Sequence, residues 1–273
     1  MARILAISSI EYRIAMRNRW ALMAILIMML FSLALTFAGA GPTGALGVDL
    51  LTVSVASMTT LAVYLTPLLA LLIAFDAISG EVERGSLALL LTYPVRRSEI
   101  LLGKFVAHLA VLSVAMLIGF GAAGMAAFAF GGAGYESLIA LGRLVIGSIL
   151  LGATFLAIGY AVSALSRSVA GAAGTAIGVW LVLVVLYDLG LLGAVVFDDG
   201  GTFTRDIFPW LLAFNPADAF RLWSISASAD VALATGMTGA GAALPSWVAP
   251  LSLVSWPVAA LVAAQQIFRR IDP

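Results

Sequence analysis

The chain contains no cysteine and only one histidine, His108. Without cysteine, no disulfide can frame its loops and no thiolate can bind a metal. A single histidine also excludes a metal site built from several imidazoles. Three of the methionines, Met23, Met28 and Met29, lie within one apolar run, where methionine usually fills packing gaps. We therefore expect no metal site in this chain.

Charged residues are also scarce. They make up 10% of the chain, against 63% hydrophobic residues, and the mean hydropathy is +1.12. That value is far above the hydropathy of a soluble domain of this length, so we expect the chain to lie in a lipid bilayer. The formal net charge is zero, and we expect no nucleic-acid partner.

Common catalytic motifs are missing as well. The sequence has no GxSxG and no HExxH. The segment LLGKF contains Gly103 and Lys104, but Ser98 stands where a P-loop has its first glycine and Phe105 replaces the hydroxyl residue. We therefore expect no catalytic residue, no cofactor and no ATP hydrolysis in the chain itself.

Long apolar runs are abundant. A membrane-spanning helix needs about 20 mostly apolar residues, and the sequence predicts six such helices. They are Trp20–Ala38, Leu51–Phe75, Ile100–Phe130, Leu138–Leu165, Val169–Leu192 and Trp247–Gln266. The third, fourth and fifth exceed the bilayer thickness, so we expect them to tilt or extend into water. The fold class predicted is an all-α membrane protein of one domain, residues 1–273.

The basic residues predict the orientation, because loops rich in Lys and Arg stay in the cytoplasm. One side of the six-helix arrangement carries Arg3, Arg13, Arg17, Arg19, Arg84, Arg96, Arg97, Lys104, Arg167, Arg269 and Arg270. The other side carries Arg143, Arg205 and Arg221, with Asp49, Glu136, Asp198, Asp199, Asp206, Asp218 and Asp230. This split places both termini in the cytoplasm.

Residues 1–19 precede the first predicted span. Isoleucines recur there at spacings of three and four, while Arg13 and Arg17 share another face with Glu11 nearby, as in a helix lying along the membrane surface. This helix either anchors the chain in lipid or also contacts a cytoplasmic partner. A cleaved secretory signal is the alternative, but the polar-rich stretch is too long for an ordinary signal peptide and we expect no cleavage.

Residues 76–99 form the longest cytoplasmic connection, and they combine charges with leucines. We expect Gly80 to break the second span, Ser86 to cap a short helix that Pro94 ends, and Ser98 to cap the third span. A helix this short cannot cross the bilayer. Its leucines must therefore be buried in headgroups, in the bundle or in another protein, unless the segment is only a solvated loop resting on the membrane.

Two further segments bear on packing. Gly174 and Gly178 form a GxxxG pair, with Gly171 one turn earlier, which predicts close helix packing inside one subunit or, alternatively, a subunit dimer interface. Residues 193–247 form a long external segment. We expect short helices lying on the periplasmic surface, with Trp210, Phe214, Phe220 and Trp223 at the membrane interface, followed by a flexible return.

Ionisable residues are rare in the middle of the spans. Asp76, Lys104 and His108 lie near the cytoplasmic ends, and Arg143 and Asp188 lie near the outer ends. Charges at the centre of a span usually mark ion or proton pathways, so this placement argues against a proton-driven transporter. We expect a packed histidine at His108 and a helix-end residue at Asp188, with a proton relay and a cavity contact as the alternatives.

A motif in the first cytoplasmic connection resembles the ABC-2 class of ABC transporter permeases. It runs Glu81, Glu83, Arg84, Gly85, Ser86 and Leu87, followed by Pro94, Arg96, Arg97, Gly103 and Lys104. Together with RNRW before the first span and FNPADAFRL after the fifth, it is most similar to permeases that support copper-site maturation of nitrous oxide reductase. Serine stands where threonine is commoner, which preserves the hydroxyl.

The resemblance implies a type V exporter-like transmembrane domain in the bacterial inner membrane, working as a homodimer. Short cytoplasmic coupling helices would dock on a separate ATPase subunit that binds ATP and Mg. The residues implied for this coupling are Glu11, Arg13, Arg17, Glu81, Glu83, Arg84, Gly85, Ser86, Leu87, Leu90, Pro94, Arg96 and Arg97. Those implied for a periplasmic partner protein are Asp198, Asp199, Arg205, Asp206 and Trp210.

Three functions remain open at this point. The first is a permease that couples cytoplasmic ATP hydrolysis to a periplasmic maturation factor. The second is an exporter of a lipid, drug or glycan, which predicts ATPase stimulation by a hydrophobic cargo. The third is a membrane enzyme or scaffold without an ATPase, which predicts that the charges of residues 76–99 can be lost without effect.

Overall fold

A computed structural model describes residues 2–17, 19–38, 49–132, 134–226 and 244–271, and every regular element in these ranges is helical. The helices are α1 (Ala2–Arg17), α2 (Arg19–Ala38), α3 (Leu50–Ala74), α4 (Ser79–Glu83), α5 (Ser86–Leu90), α6 (Arg97–Gly131), α7 (Tyr135–Leu165), α8 (Val169–Trp180), α9 (Tyr187–Asp198), α10 (Phe208–Phe214), α11 (Pro216–Ile225) and α12 (Val248–Arg269). Two π-helical segments, Leu181–Leu186 and Phe203–Ile207, precede α9 and α10.

Five helical stretches of the described chain are long and apolar enough to cross a membrane. They are Leu50–Glu83, Arg97–Gly131, Tyr135–Leu165, Val169–Asp198 and Val248–Arg269. A bent pair, Arg3–Arg17 with Leu22–Ala38, supplies a sixth, and its two helices meet at 65°. The predicted all-α membrane fold is confirmed. The fifth span continues through the π-helical segment to Asp198, beyond its predicted end at Leu192.

Helix α7 lies at the centre of the bundle. It packs against α3 and α12, while α6 carries α1 and α2 on another side. The side chains of Phe155 and Tyr160 on α7 are fully buried, together with Phe120 on α6 and Phe220 on α11. The most apolar window of α7 is 67% buried, against 11% for the stretch Val169–Asp198, which therefore lies at the edge of the subunit.

The first helix packs closely on α6 because α6 has a glycine at the contact. A Cβ built on Gly103 would lie 2.6 Å from Cγ2 of Ile7, which is too close for any real side chain. The Ser8 hydroxyl also donates a hydrogen bond to the Gly103 carbonyl at 2.9 Å. Helix α1 is therefore attached to the bundle along one face as well as being amphipathic.

The break after the second span lies earlier than predicted. Helix α3 ends at Ala74, and the backbone N–H groups of Ile78 and Ser79 both donate to the Ser163 hydroxyl of α7 at 2.9 Å. Gly80 is not the breaking residue, because it lies inside α4. A buried hydroxyl on the neighbouring helix thus satisfies the N–H groups that are freed where the helix is interrupted.

Two predicted caps are also wrong. Helix α5 begins at Ser86, but its N-cap is Gly85, whose φ of 69° lies in the left-handed region that favours glycine. The Ser86 hydroxyl instead reaches the Glu81 carbonyl at 3.3 Å. Helix α6 starts at Arg97, and the Glu99 carboxylate accepts the N–H of the Arg96 cap, so Ser98 lies in the first turn.

The GxxxG glycines do not pack inside the subunit. Both Gly174 and Gly178 are exposed, and a Cβ added to either would meet no atom within 4 Å among the described residues. The prediction of close packing within one chain is therefore wrong. The alternative, a contact with a second subunit, stays a prediction.

Residues 193–226 differ from the helices predicted to lie on the surface. Helix α11 inserts between α7, α12 and α3, and its Phe220 side chain is fully buried. Trp223 on the same helix is half-buried, whereas Trp210 and Phe214 on α10 are exposed. The flexible return predicted for the second half of this segment falls largely on residues 227–243, outside the described residues.

Candidate functional site

Polar side chains gather at the two ends of the bundle. We call one the loop end; it consists of α1, α4, α5 and the start of α6. The opposite end, formed by α9, α10 and α11, is the far end. The loop end holds all the residues predicted to act in ATPase coupling, and the far end holds those predicted to contact a periplasmic partner.

Lys104 on α6 is the centre of the loop end. Its side chain is 7% exposed, and its Nζ lies 2.9 Å from Glu11 Oε1 on α1 and 2.7 Å from Glu81 Oε1 on α4. One buried cation therefore joins three separate helices. Breaking such a pair by removing one partner is far more costly than losing an exposed salt bridge, because a buried charge is left without compensation.

Glu83 joins α4 to the next loop of the same end. Its carboxylate accepts the backbone N–H of Val169 at 2.7 Å, at the first turn of α8. The Ser168 hydroxyl accepts the N–H of Gly171 at 3.2 Å and caps the same helix. A carboxylate at a helix N-terminus satisfies a free donor and interacts favourably with the helix dipole.

Two arginine side chains connect the remaining chain segments of this end. The guanidinium of Arg3 donates to the Pro94 carbonyl at 2.9 Å, which ties α1 to the residues after α5. The guanidinium of Arg97 donates to the carbonyls of Phe268, Arg269 and Ile271 at 2.9, 3.2 and 2.5 Å, so it caps the C-terminus of α12. Arg96 is exposed, and only its backbone takes part in the α6 cap.

The short helix α5 presents both buried and exposed apolar residues. Leu87 is 1% exposed and packs in the core, and Leu90 is half-buried. Leu89 and Tyr93 are 69% and 66% exposed and face away from the bundle. The helix is therefore fixed on one side and offers an apolar surface on the other, with the exposed side chains of Arg13, Arg17 and Arg84 at the same end.

A charged cavity of about 220 Å³ opens beside Lys104. Its polar lining consists of Glu11, Asp76, Glu81, Arg84, Lys104 and His108. The Nδ1 of His108 lies 2.8 Å from the hydroxyl of Tyr160, which is fully buried on α7, so the histidine is packed as predicted. The cavity lies between α1, α3, α4 and α6, directly beside the ionic cluster.

The far end holds a second ionic cluster. The guanidinium of Arg221 on α11 binds Asp188 Oδ2 at 3.0 Å and Asp218 Oδ1 at 2.8 Å. Burial, as the larger cause, and the negative charge of Asp188 together raise the pKa of Asp218 to about 8, against the opposing effect of Arg221. Asp218 Oδ2 is buried without a hydrogen-bond partner among the described residues, which agrees with a carboxyl that carries a proton.

Three hydrogen bonds fix the π-helical segment of the fifth span against its neighbours. The Asn215 amide donates to the Leu183 carbonyl at 2.7 Å, and the Tyr187 hydroxyl donates to the Leu211 carbonyl at 2.8 Å. The indole of Trp180 donates to the Tyr64 carbonyl of α3 at 3.0 Å. The fifth span is thus held by side chains where its backbone pattern is irregular.

The residues predicted to contact a periplasmic partner do not form one cluster. Asp198 accepts the N–H of Thr204 at 2.8 Å and closes the turn between α9 and α10, so its carboxylate has a local role. Asp199, Arg205 and Asp206 are exposed around this turn, and Trp210 is exposed on α10. Trp210 also lines an apolar groove of about 460 Å³ between α10 and α12.

The predictions missed Asp218 and Arg221 as a functional pair. Both fall in the quoted FNPADAFRL segment, and their spacing of three residues places them on one helix face. The sequence also contained a signal for one of the two partners of Lys104. A lysine in an apolar run needs a carboxylate, and Glu11 is the one acidic residue before Asp49.

Comparison with known proteins identifies the family to which the chain belongs. The sequence profile of a family described as ABC-2 family transporter protein matches residues 5–272. A protein of Stutzerimonas stutzeri named probable ABC transporter permease protein NosY is 42% identical over 274 residues, covering 99% of both chains. A protein of the same name from Pseudomonas aeruginosa strain PAO1 is 42% identical over 259 residues, covering 93% of this chain and 94% of the relative. The chain belongs to the ABC-2 family and is the transmembrane permease subunit of an ABC transporter.

Proposed function

We propose that this permease couples ATP hydrolysis by a separate, NosF-like ATPase subunit to a periplasmic, NosD-like partner, and so supports copper-site maturation of nitrous oxide reductase. The permease name of the two relatives and their full-length similarity support this choice within the ABC-2 family. The loop end lies in the cytoplasm, the far end in the periplasm, and the permease works as a homodimer in the bacterial inner membrane.

The observation that carries the proposal is the attachment of α4 and α5 to the bundle. Lys104 clamps Glu81 and Glu11, and Glu83 connects α4 to α8. A force applied to the exposed side of α5 therefore reaches three longer helices through buried or short polar contacts. This arrangement suits rigid-body transmission, in which docked helices follow the motion of a partner.

The same geometry divides the predicted coupling residues into two roles. Leu89 and Tyr93, which were not predicted as coupling residues, offer the apolar contact surface, and Arg13, Arg17, Arg84 and Arg96 are exposed at the same end. Glu11, Glu81 and Glu83 bind groups of this chain, so they position the docking surface rather than forming it. An apolar centre with charges at its rim is the usual composition of a protein interface.

The experiment is copurification in mild detergent of the chain expressed with its native neighbouring genes. Leu89→Asp places a charge in the proposed docking surface, and we expect it to release the ATPase and keep the periplasmic partner. Trp210→Ala alters the far end, and we expect the reverse. The two variants serve as controls for each other, because each must leave one partner bound.

Other outcomes would decide against the proposal. If an ATPase copurifies alone and its activity rises with added lipid, drug or glycan, the chain is an exporter. If no ATPase copurifies with the unmodified chain, coupling to a separate ATPase is wrong. If Leu89→Asp and Trp210→Ala release the same partner, the assignment of the two ends is wrong.

A further inference from the structure

A groove of about 400 Å³ runs between α6 and α12 at the loop end. It is separate from the charged cavity beside Lys104 and from the exposed side of α5, and the proposed function uses none of its residues. The described residues that line it are Ser98, Leu101, Leu102, Val258, Leu261, Val262, Gln265, Gln266 and Arg269. Its volume lies in the range of ligand-binding pockets.

The groove is built from two helix stripes. The α12 residues recur at spacings of three and four, from Val258 to Arg269, and therefore share one face. The α6 residues Ser98, Leu101 and Leu102 face them. At 1.5 Å per residue, the α12 stripe is about 16 Å long, roughly half the hydrocarbon thickness of a bilayer. The groove thus has the length of one leaflet.

Polarity changes along the groove in one direction. The half nearer the middle of the membrane is lined by Val258, Leu261 and Val262, and the half nearer the helix end by Gln265, Gln266 and Arg269. Arg269 is the one charged residue among those that line it, so the end of the groove is positive. This gradient matches a molecule with an apolar chain and an anionic head.

Two further observations support a preformed binding site at the positive end of the groove. Arg97 holds the C-terminus of α12 by its three carbonyl bonds, so the position of Arg269 relative to α6 is fixed. The Gln265 amide has neither a donor nor an acceptor partner within the described part of the chain, although both of its polar atoms are buried. A buried amide without partners is costly, and a headgroup oxygen would accept a hydrogen bond from its Nε2.

We propose that this groove binds one anionic phospholipid, with its phosphate at Arg269 and one acyl chain along Val258 and Val262. The occupant follows from charge complementarity, since a cationic end favours an anionic headgroup over a zwitterionic one. The valines are 59% and 52% exposed at a surface that faces the bilayer, so a lipid chain reaches them directly. The bound lipid fills the gap between α6 and α12 next to the Arg97 contact.

The test is a titration of the full-length chain in detergent with phosphatidylglycerol and with phosphatidylcholine of the same acyl chains, read by native mass spectrometry. We expect tighter binding of phosphatidylglycerol. Arg269→Gln should weaken it about fivefold, the factor that corresponds to one basic residue near an anionic headgroup. Arg270→Gln is the matched control, because this exposed neighbour does not line the groove, and it should change nothing.

Val262→Trp provides a second test, because its larger side chain occupies the acyl half of the groove. We expect it to reduce phosphatidylglycerol binding without changing the oligomeric state. Equal binding of both lipids, equal effects of Arg269→Gln and Arg270→Gln, or a changed oligomeric state in Val262→Trp would overturn the proposal. Displacement of the lipid by an equal concentration of inorganic phosphate would also overturn it, because the acyl chain would then contribute nothing.

Discussion

Each end of the bundle holds one cation between two carboxylates, but the two clusters connect different chain segments. At the loop end, Lys104 connects Glu11 and Glu81, so that α1, α4 and α6 share one contact. At the far end, Arg221 and Asp218 belong to the same helix, and only Asp188 lies on another one. The loop-end cluster therefore holds three segments together, whereas the far-end cluster attaches α11 to the fifth span.

The clusters also differ in how they can relieve an excess of negative charge. Each has one cation for two carboxylates. Asp218 is 1% exposed, and its raised pKa allows it to carry a proton near neutral pH. At the loop end, Glu81 Oε2 is also buried without a hydrogen-bond partner among the described residues, while Oε1 of the same carboxylate binds Lys104. Removing the cation should therefore cost more at the loop end, because it leaves two carboxylates on separate helices with no cation between them.

The largest expected effect is that of Lys104→Met. This change leaves Glu11 and Glu81 facing each other without a cation, and we expect it to reduce the free energy of unfolding by about 3–5 kcal/mol. Thermal unfolding of the full chain in detergent measures the loss. The triple variant Lys104→Met, Glu11→Gln, Glu81→Gln removes the uncompensated charge and should regain part of the stability. A triple variant as unstable as Lys104→Met would show that packing, not charge, causes the loss.

Arg221→Met should have the next largest effect, about 1–3 kcal/mol, because Asp218 can stay neutral when its partner is lost. The same thermal measurement applies. Arg143→Met is the control, since Arg143 also lies at the far end and makes one 3.2 Å hydrogen bond, to the Ser226 carbonyl. If Arg221→Met costs as much as Lys104→Met, the proposed difference between the clusters is wrong.

The pH dependence of stability should separate the far-end cluster from Asp49. Asp218 holds its proton in the folded chain up to about pH 8. The unfolded chain releases it near pH 4, about the ordinary value for Asp. The stability that Asp218 contributes is therefore present below about pH 4 and lost as the pH rises toward 8. Unfolding free energies across this range should flatten in Asp218→Asn.

Asp49 should show the opposite trend. Burial alone would raise its pKa, but hydrogen bonds from Thr52, Gly134 and Ser137 outweigh it and lower the pKa. Its contribution is present above the unfolded pKa, near pH 4, and lost as the pH falls further. Asp49→Asn should therefore flatten only the acidic part of the same profile. Identical profiles for Asp49→Asn and Asp218→Asn would contradict both assignments.

The smallest effect on stability should come from Glu83→Ala, which removes a hydrogen bond to Val169 and costs about 1 kcal/mol. Ser168→Ala is the matched control, because it removes the other cap of the same helix. Since Glu83, unlike Ser168, joins α4 to α8, we expect Glu83→Ala to reduce permease-dependent ATPase activity more than Ser168→Ala. Equal ATPase activities in the two variants would show that Glu83 is only a helix cap.

The spans and their order could be predicted because a bilayer imposes a length and an apolar composition on each helix. Four of the six predicted spans lie within helical segments of the structure, and the other two extend one residue beyond a helix end, at Phe75 and at Trp247. The break at residues 75–78 could not be placed, because its position depends on Ser163 of a distant helix. Gly80 and Ser86 are local signals for a helix break and a helix cap, and they lie near the observed positions. Such local signals carry no information about a hydrogen bond to a residue as distant in sequence as Ser163.

The candidate site was harder to predict than the fold. Glu11 and Glu81 were predicted as coupling residues, but the sequence did not show that both carboxylates bind Lys104. Composition shows that charges are rare, but not which of them meet once the helices are packed. The burial of Phe220 has the same explanation, because an aromatic residue suits either a membrane interface or a core.

The π-helical segment Leu181–Leu186 sets the helical phase of the fifth span. Each α-helical residue advances the helix by about 100°, and a wider π turn holds one residue more than an α turn does. Deleting one residue here would rotate α9 by about that angle relative to α8. The rotation would carry Tyr187 away from Leu211 and Asp188 away from Arg221, whose contacts fix α10 and α11. The extra residue of the π turn thus determines which face of α9 packs against α10 and α11.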